Sequence, residues 1–348
     1  MKSLSKWYAA LMNNKAWPPF ALLLLVALWT LGVGNIDFPS ALCALLAWTL
    51  FALPGFARYG TEATSELVIF SRAATLGIAT TITLAVPLSF LFGRVCPTQT
   101  LLAVLLAGLL LHFTKSAHQQ EPRTAEAPSS LSAKLVPLLS AAILLALMAG
   151  PVSHVGLSTP TGKLFRPYFS YDTFSHLFRI ETLLQEVPPI ELASATDRQT
   201  YYWFAFLPAA AAKSLGGRHV ETLQIHLFST ALITTLFSLL LYGCCRRFTK
   251  SHWPAALAAL LGSLPLSLDG IVAFLGSRIH ADWATLDGDI VVNSDITCLF
   301  GAPSFITSSS TFGFCLFTPQ HALAVAFFLA FFLARQEERP LLPLFLLI

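Results

Sequence analysis

Charge is what this chain has least of. Only 11% of its 348 residues are Asp, Glu, Lys or Arg, against roughly a quarter in soluble domains, while 55% are hydrophobic. A soluble globular domain is excluded, and a polytopic membrane protein is expected. The net charge of +3 is too small to argue for a nucleic-acid partner. Six cysteines do not make a disulfide framework: Cys43, Cys244 and Cys245 lie in or beside apolar runs, where a thiol is a small hydrophobe. Cys298 and Cys315 fall on one outer loop, where a bridge between them stays open. The first apolar run follows Lys2, Lys6 and Lys15, continues unbroken from Pro18 to Gly34, and has no small-residue cleavage site. It reads as a signal anchor rather than a removable leader. No internal repeat is visible.

What the chain has is apolar length. Runs fit to cross a ~30 Å hydrocarbon core lie at 17–34, 39–56, 73–92, 99–114, 135–150, 221–243, 254–275 and 318–334. The closing LLPLFLLI reads as the opening of a further span or as a short apolar tail on the bundle. The fold class expected is therefore all-α, a transmembrane helix bundle of about eight to nine spans, with outer loops carrying amphipathic juxtamembrane helices. With the N-terminus in the cytoplasm, thirteen of the 21 Lys and Arg residues fall on inner segments, including the short turn CCRRFTK. The other eight are spread over longer outer loops, as the positive-inside rule expects. The expected location is the bacterial plasma membrane, crossed many times.

Residues 115–134, KSAHQQEPRTAEAPSSLSAK, are polar and Pro/Ser-containing and divide the chain. Residues 1–114 hold four spans with little polar content beyond Thr80, Thr81 and Thr83. His112, near the inner end of its span, reads as packed or snorkelling. Residues 135–348 hold the outer loops 151–219 and 277–317 and the clustered ionisable residues.

The stretch from Tyr168 to Trp203 is the longest polar passage. As a helix capped by Asp172 and stopped by Pro188 and Pro189, it has two faces. At about 100° per residue, Asp172, Ser175, His176, Arg179, Thr182 and Glu186 share roughly a third of the circumference. Phe174, Leu177, Phe178, Ile180 and Leu184 take the opposite side, where Glu181 spoils the pattern. Such a helix lies on a bilayer with an acid, an imidazole and a guanidinium facing water. The following YYWFAFLPAAAAKSLGG is too short to cross and reads as a re-entrant or interfacial helix. Tyr201, Tyr202 and Trp203 suit either the headgroup level or a sugar platform.

In the second outer loop, DGDIVVNSD carries oxygen ligands of the kind calcium or magnesium accepts, at a spacing that is not an EF-hand's. A solvated acidic loop is the plainer account, and no divalent cation is required. His321, one turn into the last span, faces either the bundle or the outer pocket.

A lipid-linked substrate explains a polar site floored by a bilayer, because its phosphate sits at headgroup level while its tail stays in hydrocarbon. Glycosyl transfer from such a donor needs a carboxylate for the acceptor's proton, cations for the leaving phosphate, and aromatic contacts for the sugar. Asp172 supplies the first, His176, Arg179 and Arg166 the second, and Tyr168, Tyr171, Tyr201, Tyr202 and Trp203 the third. An outer loop with an Asp after a span, then an amphipathic helix and a proline stop, resembles the first outer loop of the GT-C superfamily of polytopic glycosyltransferases. The resemblance covers the span at 135–150, YDTFSHLFRIETLLQEVPP and, more loosely, YYWFAFLPA. It implies Asp172 as catalytic base or metal-linked acid and a polyprenyl-phosphate sugar as donor, with membrane lipids as the surrounding partners. A transporter, or a flippase, ligase or polymerase handling lipids or glycans, is the alternative.

Overall fold

The computed structural model describes residue 25 and residues 37–59, 67–113, 131–152, 157–160, 162–164, 167–191, 194–198, 203–263 and 319–335. The first span apart from Leu25, most of the linker, Arg166, Tyr201, Tyr202, Cys298, Cys315, the acidic loop and the closing apolar run lie outside the described residues.

The described part is mostly helical. In chain order it runs α1 (Phe38–Tyr59), α2 (Leu67–Phe92), α3 (Pro97–Phe113), α4 (Leu131–Val152), a hairpin of β1 (Leu157–Thr159) and β2 (Gly162–Leu164), and α5 (Pro167–Leu183). A second hairpin follows, β3 (Ile190–Glu191) with β4 (Ser194–Arg198), then α6 (Leu207–Gly216), α7 (Thr222–Thr249), α8 (His252–Ser263) and α9 (Pro319–Arg335). The two antiparallel hairpins are small departures from the all-α expectation, and both flank α5.

Among the described residues α1, α2 and α7 are long and apolar enough to cross a membrane, and α3, most of α4 and α9 are apolar but shorter. At 1.5 Å per residue, the 28 residues of α7 span about 42 Å. This is membrane-protein character, and α1, α2, α3, α4, α7 and α9 start and stop within about six residues of the apolar runs expected there, while the run at 254–275 is described only to Ser263. Leu101, Leu105, Leu109 and Phe113 stand exposed along α3, an outward apolar stripe that a bilayer would cover.

Helix direction follows from the contacts. Ser40 Oγ accepts from Glu221 N at 2.9 Å and Trp48 Nε1 donates to Ser229 Oγ at 2.9 Å, so α1 and α7 run parallel. The hydroxyl of Thr81 donates to the Phe51 carbonyl at 2.9 Å, and Gly55 meets Ala73 and Gly77, so α1 and α2 cross antiparallel. Arg247 Nη2 reaches the Leu333 carbonyl at 3.3 Å, which sets the ends of α7 and α9 together. Two ends result. The start of α1, the α2–α3 turn, the end of α5 and the start of α7 share one. Arg58, Arg72, Lys134, Arg246, Arg247, Lys250 and Arg335 belong to the other.

Many buried hydroxyls in this apolar bundle are satisfied within their own helix. Ser71, Thr75, Thr80 and Ser89 each donate to the carbonyl four residues back, as buried hydroxyls in spanning helices do. Gln99 ties α3 to α2 through Ala85 O at 2.9 Å and Ser89 Oγ at 3.0 Å. Asp37 caps α1 by accepting from Ser40 N at 2.9 Å. The α2–α3 turn passes through Gly93 at φ 70°, which a residue without Cβ adopts freely. That turn is pinned to α5: Val95 N donates to Leu183 O at 2.8 Å, and Val187 N to Gly93 O at 2.9 Å.

Candidate functional site

Helix α5 differs from expectation at both ends. It begins at Pro167, a residue pre-set for the first helical position, so Asp172 lies in the second turn and is not the cap. It stops at Leu183, before Pro188 and Pro189, in a turn where Gln185 N and Glu186 N both donate to Thr182 O. Glu186 therefore lies off the helix, and it pairs with Arg198 of β4.

Its faces differ as well. Thr173, Ser175, His176 and Thr182 are buried, His176 to 2% exposure, whereas Phe174 is 44% exposed. The polar side expected to face water packs inward, because α5 rests on α6 and α7 rather than on a flat lipid surface. The imidazole of His176 lies 5.0 Å from the Phe206 ring and 5.1 Å from the ring of His226 on α7. The half-buried Arg179 holds its guanidinium 5.8 Å from the Phe206 centroid, a cation–π contact. Burial above all, then His226, Arg179 and His321, hold the His176 pKa far below its ordinary value, at about 2. It is a neutral imidazole at pH 7 and offers hydrogen bonding rather than charge.

Of the other expected residues, Tyr168, Tyr171 and Asp172 sit on the first turns of α5, and their side chains lie outside what the structure describes. Trp203 is buried and does not form an open platform. It is 6% exposed and meets Phe90 edge-on at 5.9 Å, because the turn Trp203–Phe206 is drawn inside by α6. That ten-residue helix buries Ala209, Ala210, Ala211 and Ala212, whose small side chains allow close approach to α1. His321 is half-buried at the start of α9, near enough to influence His176 electrostatically.

On the other side of α5 an open cleft of about 990 Å³ separates it from α6, α7 and the start of α1. Phe174, Leu177 and Phe178 form an apolar wall. Glu181 continues that face of α5, and Lys213, Arg218 and Glu221 line the cleft from α6 and the α6–α7 connection, with Asp37 at the rim. Glu181 Oε1 accepts from the Thr222 hydroxyl and lies 3.6 Å from Lys213 Nζ, which also donates to Val220 O at 2.7 Å. Three helices are thereby tied at the cleft wall. Among the described residues no group of three or more His, Cys, Asp or Glu side chains is arranged to hold a metal ion.

Sequence reasoning missed Phe206, Lys213, Thr222 and His226 in this region. Glu181 did leave a signal, as the one acid on the apolar face of α5, and that is the face that lines the cleft.

The fold and cleft define a helical protein of membrane character with a mixed-charge cleft at one end of its bundle. No protein family, curated protein or solved structure matches the chain.

Proposed function

We propose that this chain is an integral membrane glycosyltransferase of GT-C type, with about eight to nine spans and a cytoplasmic N-terminus. It takes a sugar from a polyprenyl-phosphate donor at the extracytoplasmic end of the bundle. The observation that supports this most is the cleft of about 990 Å³, in which the apolar face of α5, with Glu181 at its end, stands opposite Lys213 and Arg218. An isoprenoid tail suits Phe174, Leu177 and Phe178. A phosphate at the same depth meets Lys213 and Arg218 by charge-assisted hydrogen bonds. The acceptor hydroxyl attacks the anomeric carbon, the lipid phosphate leaves, and the hydroxyl proton passes to a carboxylate, Asp172 or Glu181. Arg179, Arg166 and the tyrosines at 168, 171, 201 and 202 belong to the same loop. The orientation is supported by seven basic residues at the bundle end opposite the cleft, as a cytoplasmic face would have.

A second reading, transport or lipid handling without sugar transfer, draws support from the buried pair His176 and His226 at the base of the same region. The test is transfer of labelled sugar from polyprenyl-phosphate donors by purified protein in proteoliposomes. We expect Asp172→Asn or Glu181→Gln to lower transfer at least 100-fold at normal protein level, on the scale of a lost general base. No transfer from any such donor by the wild type, or full activity in both variants, overturns the assignment.

A further inference from the structure

A second cavity lies at the opposite end of the bundle, between α1 and α3. It is a groove of about 680 Å³ walled by Leu53, Phe56, Val104, Leu105 and Leu109. Arg58 and His112 line it too, each in the last turn of its helix. Because Leu53 to Arg58 and Leu105 to His112 line it together, the two helices descend side by side and bring a guanidinium and an imidazole to the same rim. Gly108 leaves the groove open: a Cβ built there meets nothing within 4 Å. On α1, Leu53 is 44% exposed, and on α3 Leu105 and Leu109 are 65% and 52% exposed. The groove thus opens along the outward apolar side of the bundle, where acyl chains run.

The geometry points to a binding site for one anionic phospholipid, its phosphate at Arg58 and His112 and the upper part of one acyl chain along Leu53, Leu105 and Leu109. Basic residues in a last helical turn also complement the helix dipole. That accounts for the charge but not for an apolar groove that ends at it. Basic pockets between spanning helices are where anionic headgroups bind, and each Lys or Arg near an anionic surface contributes about 1 kcal/mol, or about fivefold in affinity. The groove and the cleft lie at different ends, so this site stands whether or not the protein transfers sugars.

Native mass spectrometry of the purified full chain, titrated with phosphatidylglycerol or phosphatidylcholine of identical chains, reads the site directly. We expect wild type to retain one phosphatidylglycerol about fivefold more tightly than phosphatidylcholine. The Arg58→Gln/His112→Gln variant should lose that preference and keep the phosphatidylcholine level. Gly108→Leu, whose Cβ meets no atom within 4 Å and whose side chain takes up groove space, should lower retention of both. Equal retention of the two lipids by wild type, a measurement that needs no variant, overturns the proposal. So does an undiminished preference in the double variant.

Discussion

Replacing Gly77 by alanine tests the close approach of α1 and α2. Where α1 and α2 cross, a Cβ on Gly77 would sit 2.4 Å from the Ala52 carbonyl oxygen and 2.6 Å from Gly55 N, whereas ordinary contact starts at 3.4 Å. Backbone atoms cannot swing aside as a side chain can, so the helices must part by about 1 Å. Parting them loosens the Thr81 to Phe51 bond of 2.9 Å and the packing of Phe51, which is 1% exposed. Overpacking of this kind costs about 1–3 kcal/mol, and an interhelical hydrogen bond in a membrane protein about 0.6 kcal/mol. Alanine's better helix propensity returns at most about 1 kcal/mol. The net expectation is a loss of about 2 kcal/mol. Gly55→Ala, at 1.9 Å from Ala73 O, should lose more. Because one separation accommodates both, the double variant should lose less than the sum. Reversible unfolding in mixed detergent micelles measures all three against Gly108→Ala, which meets nothing and should be neutral or slightly stabilising. The close-crossing account is refuted if Gly77→Ala is as stable as Gly108→Ala.

Three further outcomes are expected. His176 is neutral in the folded state down to a pKa of about 2, while in the unfolded chain it takes a proton below about 6.5. Stability is therefore unaffected above pH 6.5 and falls below it, by about 2 kcal/mol between pH 6.5 and 5. His176→Phe should remove that share of the acid sensitivity, and parallel stability–pH curves for the two proteins would disprove it. Trp48→Phe removes a buried hydrogen bond to Ser229 and part of an indole; about 2 kcal/mol is expected. A double-mutant cycle with Ser229→Ala should return a coupling of at least about 0.5 kcal/mol, and no coupling would count against the bond. Asp37→Ala should cost about 1 kcal/mol as a lost cap, with Asp37→Asn near wild type in the same unfolding assay; equal losses would mean the side chain acts otherwise.

The α5 region shows why one part of the reading failed while another succeeded. Treating the helix as an object on a flat apolar surface put His176 and Ser175 in water and Ile180 in lipid. Ile180 is indeed buried, at 0% exposure, but so are Ser175 and His176, because the helix is enclosed on more than one side. Asp172 is a good capping type by sequence, but Pro167 starts the helix. Glu181 looked like an irregularity on an apolar face until Thr222, 41 residues later, and Lys213 were brought beside it.

Sequence by itself determined the positions of most of the described apolar helices and the basic residues that close α1, α7 and α9. Both are local properties, since a hydrocarbon layer selects on length and hydropathy along a single segment. Tertiary structure decided what α5 faces, the histidine and phenylalanine contacts behind it, the cleft in front of it, and the groove at the far end. Those depend on which helices run parallel and how closely they approach. Glycines at a crossing and hydrogen bonds between distant residues set that approach, and no window along the chain contains both partners.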